Sequence, residues 1–414
     1  MEEFLLIRQI EAELDAARGL VRAGAWAEAA TIYRRLIEMR PDLLPARLNG
    51  GTALMGLDRA EEALDWFAAA AAQAPQEPRV WERLGAACHE AGAFAAAIGH
   101  LDRALDLDPA LRPARVMRAS TRLLTGDFAG GWRDLAGRGA EAATGLDVPV
   151  WRGEPVAGRA LVVVAEGGFG DTIFFARYLP RLAASGGKLH VFVQPELRSL
   201  LAANWPDISF PADGDRLPRI HYQCAAFDLP IGFGTDAPTI PSSSAYLRSD
   251  PARAALWRQR MEPMRGRMHV GIVWAGNKRT VVDYKRSLNP RLLAPLLAVP
   301  DIAFVSLQPG GQCDGVLDVG AALDSFAATA SLIDALDLVI TVDTAVAHLA
   351  GALGKPTWLL LPAIPDWRWQ LNRRDSPWYS SMTLFRQSQR GNWDIPIAEL
   401  ADRLRAWRTN DDPS

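Results

Sequence analysis

The sequence predicts a helical-repeat solenoid followed by two α/β lobes. Three observations carry this. Residue types recur every 34 positions over the first third of the chain. Beyond about residue 140, short unbroken apolar runs alternate with helical patterns. That alternation starts at residue 160 and starts again at residue 268, which implies two blocks rather than one.

The bulk numbers agree. A chain of 414 residues exceeds one ordinary core, so two or three domains are expected. The 49% hydrophobic and 22% charged fractions are those of a globular protein. A net charge of -3 points away from nucleic acid. Cys88, Cys224 and Cys313 lie far apart and form no CxxC, so neither a disulfide framework nor a zinc knuckle is expected. A reducing cytoplasm suits them. The start, MEEFLLIRQIEAELDAA, is acidic and lacks a small-residue cleavage site, and no run of 18 apolar residues follows anywhere. Neither a secretory signal nor an integral membrane segment is expected.

The repeat comes first. Pro41, Pro75 and Pro109 share the period, as do Tyr33, Phe67 and Leu101, and Ala29, Ala63 and Ala97. Trp26, Ala60, Phe94 and Phe128 continue it, with Gly24, Asp58, Gly92 and Gly126. Each unit reads as two amphipathic helices. Small residues such as Gly85 and Ala97 let them approach, large ones fill the gap between pairs, and the proline stops the second helix. One pair cannot bury its apolar face alone, so the units stack. The unit with Trp81, Leu84, Gly85, Gly92, Phe94, Ala97 and Pro109 resembles the tetratricopeptide (TPR) consensus. Three full repeats and a degenerate fourth pair near 112–137 are expected within residues 1–137. An irregular bundle would not repeat four sets of positions at one period. By analogy the groove of such an array holds a peptide, and a purely structural role is as open.

A Gly-, Pro- and Trp-punctuated stretch, residues 138–159, reads as a linker. ALVVV then gives a strand, EGGFGD a glycine turn and TIFFARYL a helix, with KLHVFVQ the next strand. Residues 190–250 are proline-rich and irregular. Strands are expected again at MHVGIVWAG, IAFVSLQ, DLVITV and PTWLLLP, with helices between them and a final helix at IPIAELADRLRAW. Unbroken apolar strands belong to parallel sheets covered on both faces. The expectation is two Rossmann-like lobes, 160–265 and 266–408, with a cleft between them.

Four segments could carry chemistry. Gly167 to Thr172 joins a strand to a helix, where backbone can approach a ligand and the helix start favours an anion. It is not a dinucleotide fingerprint, because Ile173 stands at the third glycine position and KLHVFV ends in Gln194 and Pro195, without a carboxylate for a ribose. Asp171 there is either a functional carboxylate or a helix N-cap. Asp343 to His348 opens a second helix, with amides free for a phosphate, Asp343 again a plausible N-cap and His348 as readily packed as catalytic. Trp274, Ala275, Gly276 and Asn277 end a strand and lead into a loop with Lys278, Arg279, Lys285 and Arg286, which is either a solvated basic loop or a diphosphate contact. Asp366-Trp367-Arg368-Trp369, with Trp378 and Tyr379, offers rings for stacking or for covering the domain edge. Asp213-Gly214-Asp215 matches the DxD of metal-dependent sugar transferases but lies in a turn-rich stretch. His89-Glu90 lacks a second histidine at 93, and no P-loop exists.

Together these residues resemble one family. EGGFGDTIFFARYLP is similar to the first loop of bacterial heptosyltransferases, and DALDLVITVDTAVAHLAGALGKPTWLLLP to their D-T-G-x-x-H-x-A-x-A-x-G-K-P signature. Residues 110–400, with GDFAGGW, WAGN, SLQPG and PDWRW, resemble bacterial TPR-coupled glycosyltransferases, some of which modify flagellin; O-GlcNAc transferases are more distant. The resemblance implies a GT-B fold, and inverting transfer from a nucleotide-sugar to an acceptor hydroxyl without metal or other cofactor. It implies Asp171 as general base. The donor side would be Gly170, Trp274, Asn277, Lys285 or Arg286, Gln308, Asp343, Thr344, Ala345 and His348. The acceptor side would be Gly168, Phe169 and Trp367. Ala345 stands where the family has glycine, and Gly167 and Phe174 where many relatives have glutamine, which removes polar groups beside Asp171. The partners expected are the nucleotide-sugar and a protein or peptide held by the TPR groove. The rival readings are a TPR scaffold that no longer catalyses and a lipopolysaccharide sugar transferase.

Overall fold

The computed structural model describes residues 1–138, 146–241, 245–276 and 283–410. The chain divides into two compact units, Met1–Gly139 and Ala140–Ser414. Among the described residues no helix is long and apolar enough to cross a membrane.

The first unit is four helix pairs: α1 (Glu2–Arg22) with α2 (Trp26–Met39), α3 (Leu44–Gly56) with α4 (Ala60–Gln73), α5 (Pro78–Glu90) with α6 (Phe94–Leu107), and α7 (Arg112–Leu124) with α8 (Phe128–Ala136). The period has a local cause at each position. Gly24, Asp58, Gly92 and Gly126 all take left-handed backbone, with φ of 77, 59, 79 and 92°. That reversal starts the second helix of each pair two residues later, at 26, 60, 94 and 128. Asp58 does the same work as the glycines, as its short polar side chain permits. Arg40, Ala74 and Asp108 are extended, with φ near -139, -130 and -139°, because each precedes a proline. A periodic hydrogen bond escaped the sequence reading. Arg47, Trp81 and Arg115, again 34 apart, each donate to the carbonyl of the proline six residues earlier.

Tyr33, Phe67 and Leu101 are at most 1% exposed, and Ala29, Ala63 and Ala97 are fully buried. A Cβ at Gly85 would sit 2.6 Å from Leu101 Cγ, so this glycine is what lets α5 and α6 close. The fourth pair departs from the pattern because part of its core is ionic. Asp134 on α8, 3% exposed, takes Arg118 at 2.5 Å and Arg122 at 2.8 Å from α7. Because contacts in such an array are local, a fragment covering residues 1–137 is expected to fold alone. Circular dichroism should show a helical spectrum with a cooperative melt; a disordered or strand-rich spectrum refutes this.

The second unit holds two parallel sheets. The first has strand order β2-β1-β3, from β1 (Ala160–Val164), β2 (Lys188–Phe192) and β3 (Tyr222–Ala225). Its helices are α9 (Phe169–Ala176), α10 (Leu179–Ala184), α11 (Pro195–Asn204) and α12 (Leu229–Gly232). The second sheet has order β6-β5-β4-β7-β8-β9. Its strands are β4 (Met268–Val273), β5 (Ile302–Ser306), β6 (Val316–Leu317), β7 (Leu338–Val342), β8 (Thr357–Leu361) and β9 (Met382–Arg386). α13 (Pro251–Met261) precedes it, and α14 (Ala294–Leu297), α15 (Phe326–Ala335), α16 (Ala345–Ala352) and α17 (Asp394–Asn410) join or follow its strands. One face packs Val270, Ile272, Phe304, Leu338, Ile340 and Leu360 against Leu296, Leu400 and Leu404.

Two details differ from the sequence reading. The stretch expected as a linker is partly built into the first lobe. Trp151 donates its amide to Gln223 on β3 at 2.8 Å, and Gln223 donates back to Pro149 at 3.0 Å. The Trp151 ring lies against Gly232, where a Cβ would be 2.2 Å away. β3, β6 and β9 were not anticipated, since YQCA, VL and MTLFR are too short or too polar to stand out from loop.

Candidate functional site

The site forms where the carboxyl ends of β1 and β7 each lead into a helix start. After β1 the chain turns at Gly167, whose φ of 77° lies in the left-handed region. A Cβ there would fall 2.4 Å from Asp171 Oδ2. The turn aims the Gly168 amide at that oxygen, 2.8 Å away. Gln194, just past β2, fastens the turn from the side. Its amide donates to the Gly167 carbonyl at 3.3 Å and its own carbonyl accepts from the Thr172 hydroxyl at 2.8 Å. Gly168, not Asp171, is therefore the N-cap of α9; Asp171 is the third residue of the helix and reaches back to the Gly168 amide with one oxygen only. The other, Oδ1, accepts from Arg368 Nη2. The side chain stays 26% exposed, open enough to meet a ligand.

After β7, Thr344 is the N-cap of α16, with extended φ and ψ of -140 and 174°. This corrects the expectation that Asp343 caps the helix. The Thr344 hydroxyl makes no cap either; it lies 3.3 Å from that of Thr341. The first amides of α16 are left for another acceptor. The Asp343 carboxyl is drawn inward, 3.9 Å from His348 Nε2. Burial, and then the neighbouring Asp366, push its pKa up to about 6. His348 is a packed ring. Its Nδ1 lies 2.9 Å from the Tyr379 hydroxyl and its plane stacks on Trp369 at 5.3 Å. Burial first, then Arg368, drives its pKa well below the usual range, so it is neutral.

The two helix starts touch. A Cβ on Gly170 would be 2.8 Å from His348 Cδ2 and 3.5 Å from Ala345 Cα, so glycine sets this approach between lobes. Phe169 turns toward α15, its ring 5.0 Å from that of Phe326.

The aromatic segment fills the space behind. Asp366 Oδ1 accepts from the Arg368 amide and from Arg368 Nη1, both at 3.0 Å. Gln370 follows with φ 49° and ψ -170°, a conformation costing on the order of 1–3 kcal/mol in a residue other than glycine. Phe174, fully buried, lies between two guanidinium groups, Arg177 at 4.5 Å and Arg368 at 4.6 Å. Arg177 also donates to the Trp378 carbonyl at 2.7 Å. Trp367, Trp369, Trp378 and Tyr379 are all buried, so their rings form the wall of the site rather than an open stacking platform.

The turn after β4 stands beside this. Gln308 Oε1 accepts from the Ala275 amide at 2.9 Å and Trp274 is buried. Asp283 accepts from Arg286 Nε at 3.1 Å and from the Ser287 hydroxyl at 2.7 Å. Arg286 is half-buried, and its charge acts on both Asp343 and His348. Lys285 is partly exposed in the short helix Asp283–Lys285. Asn277, Lys278 and Arg279 lie outside the described residues.

The structure thus gathers Gly168, Gly170, Asp171, Asp343, Thr344, Ala345, His348 and Trp367 at one place, with Arg286 acting on it. Arg177 and Gln194 were missed as site groups, and the segment of Arg368 and Tyr379 was read for its rings alone. The signal for Arg368 was its place between two tryptophans and two residues after an acid, since a buried guanidinium needs a carboxylate. Lys355, in the signature's Gly-Lys-Pro, serves structure instead. Its ammonium donates to the Leu336 and Asp334 carbonyls at 2.5 and 3.0 Å, closing the end of α15. Asp215 accepts from the Ala212 amide at 2.8 Å, the turn role.

Comparison with known proteins bears on both units. Residues 20–88 match the tetratricopeptide repeat family, and residues 321–392 match glycosyltransferase family 9 (heptosyltransferase). The chain is 28% identical to Protein FlbA of Caulobacter vibrioides over 455 aligned positions, covering 91% of this chain and 75% of that protein. Among solved structures it is similar to MamA from Desulfovibrio magneticus RS-1 (20% identity, 31% of this chain and 71% of that one, TM-score 0.28). It is also similar to YrrB, a TPR protein with an unusual peptide-binding site (18% identity, 30% and 65%, TM-score 0.28). The chain therefore carries TPR repeats and a glycosyltransferase family 9 domain within a two-lobed GT-B region, and it is a nucleotide-sugar-dependent glycosyltransferase.

Proposed function

We propose that the chain transfers a sugar with inversion, without a metal ion, from a nucleotide-sugar to a hydroxyl of a protein held by the TPR groove, in the cytoplasm. The observation that carries this is the meeting of Asp171 on one lobe with the start of α16 on the other, bridged by Arg368. In-line attack needs a base on the acceptor side and positive charge at the leaving diphosphate. Asp171 would take the hydroxyl proton. The amides at Thr344 and Ala345, with Arg286 or Lys285, would stabilise the charge on the departing nucleotide. Trp274, Gln308 and Asn277 would shape the donor side; Gly168, Phe169 and Trp367 would border the acceptor. The repeats support the protein acceptor, since a TPR groove suits an extended segment.

Release of nucleotide from a panel of UDP-, GDP-, ADP- and CMP-sugars, with and without EDTA, tests the reading. EDTA is expected to leave the rate unchanged, because amides and guanidinium groups supply the charge. Loss of the rate on chelation, restored by manganese, would move attention to Asp213 and Asp215.

A further inference from the structure

We infer that Arg368 is the positioning residue of the transfer reaction: from the second lobe it fixes the Asp171 carboxylate of the first, so the base is assembled only when the lobes are together. This rests on the reading of Asp171 as base. Three features support it. The contact crosses the cleft, 197 residues apart in sequence, and uses the Asp171 oxygen that the Gly168 amide leaves open. Arg368 is itself fixed. Asp366 takes Nη1 and the backbone amide, and the faces of Phe174 and Trp367 lie 4.6 and 4.5 Å from its guanidinium carbon. Its side chain is 7% exposed, whereas that of Asp171 is 26% exposed, so the pair is anchored at the cation and open at the acid.

The arrangement says what Arg368 does. Each carboxylate oxygen has two lone-pair directions. The Gly168 amide and Arg368 use one on each oxygen, which leaves a direction toward solvent for the acceptor proton. Arg368 is the cation that touches Asp171, and it pairs with Asp366 on its own segment.

The experiment uses the full chain with nucleotide release from the UDP-, GDP-, ADP- and CMP-sugar panel, measured at pH 7 for the unaltered protein, Arg368→Met, Arg368→Lys and Asp171→Asn. Arg368→Met is expected to lower kcat about 10- to 100-fold, with KM for the sugar nucleotide little changed. Arg368→Lys keeps a cation on the same segment and should recover part of kcat. An unchanged kcat in Arg368→Met, or a loss confined to KM or to melting temperature, overturns the positioning role while leaving the base assignment intact. Near-normal release by Asp171→Asn, or no release from any of the four by the unaltered protein, sinks the base assignment and this inference with it.

Discussion

Asp171→Asn is expected to lower transfer by roughly 10²- to 10⁴-fold, the usual contribution of a positioned base. The substitution keeps size and can still accept from the Gly168 amide, now 2.8 Å from Oδ2, so the start of α9 stays capped. It removes the charge that faces Arg368, leaving Asp366 as that residue's carboxylate partner. Melting temperature should therefore move little, and nucleotide binding should hold, because the donor groups lie mainly on the other lobe. Asp171→Ala makes the contrast. It loses the cap as well, at a cost of about 1 kcal/mol. Near-normal transfer by the Asn variant beside a destabilised Ala variant would leave Asp171 as a helix cap alone. Thermal melts and single-turnover rates on both variants decide between the outcomes.

The fold was legible wherever the signal was local. A period of 34 residues is a statement about contacts between neighbours, so Tyr33, Phe67 and Leu101 could be assigned to the core from spacing alone. Apolar runs such as LVITV and TWLLL named the central strands because a buried parallel strand has no polar face. The edge strands β6 and β9 and the polar β3 carry no such run. The two glycine-rich helix starts were readable as ligand sites for the same local reason: strand, turn, helix. Arg368 was not, because its partner is 197 residues away and only the folded cleft joins them. Phe174 shows the limit from the other side. In sequence it removes a polar group beside the base; in the structure its ring packs against both Arg177 and Arg368 and makes part of the wall that fixes the latter. Asp343 failed for a subtler reason. Asp before a helix is a good cap on average, but here Thr344 takes the cap position and the carboxyl turns into the protein.

That inward turn gives the second large expected effect. Asp343→Asn should stabilise the protein at pH 8 by up to about 3 kcal/mol, the equivalent of a carboxyl raised by roughly two pH units. Burial and Asp366 hold this carboxyl at about 6, against an ordinary 3.8. As pH rises from 4, the unfolded chain gives up its proton first, so native stability declines until about pH 6 and stays reduced above it. The Asn variant has no such decline. Its advantage should be absent near pH 4 and complete by pH 8, as urea unfolding at the two values would show. A variant that is less stable than the parent at pH 8 would mean the carboxylate is ionised and paired with Arg286 or Arg368. A residue that costs stability at working pH is kept for another reason. On the proposed reading the reason is the donor. An ionised carboxylate beside the start of α16 repels a phosphate bound there, whereas the protonated acid does not. Nucleotide affinity of the parent should then weaken as pH rises through about 6, and that of Asp343→Asn should stay level across the same range.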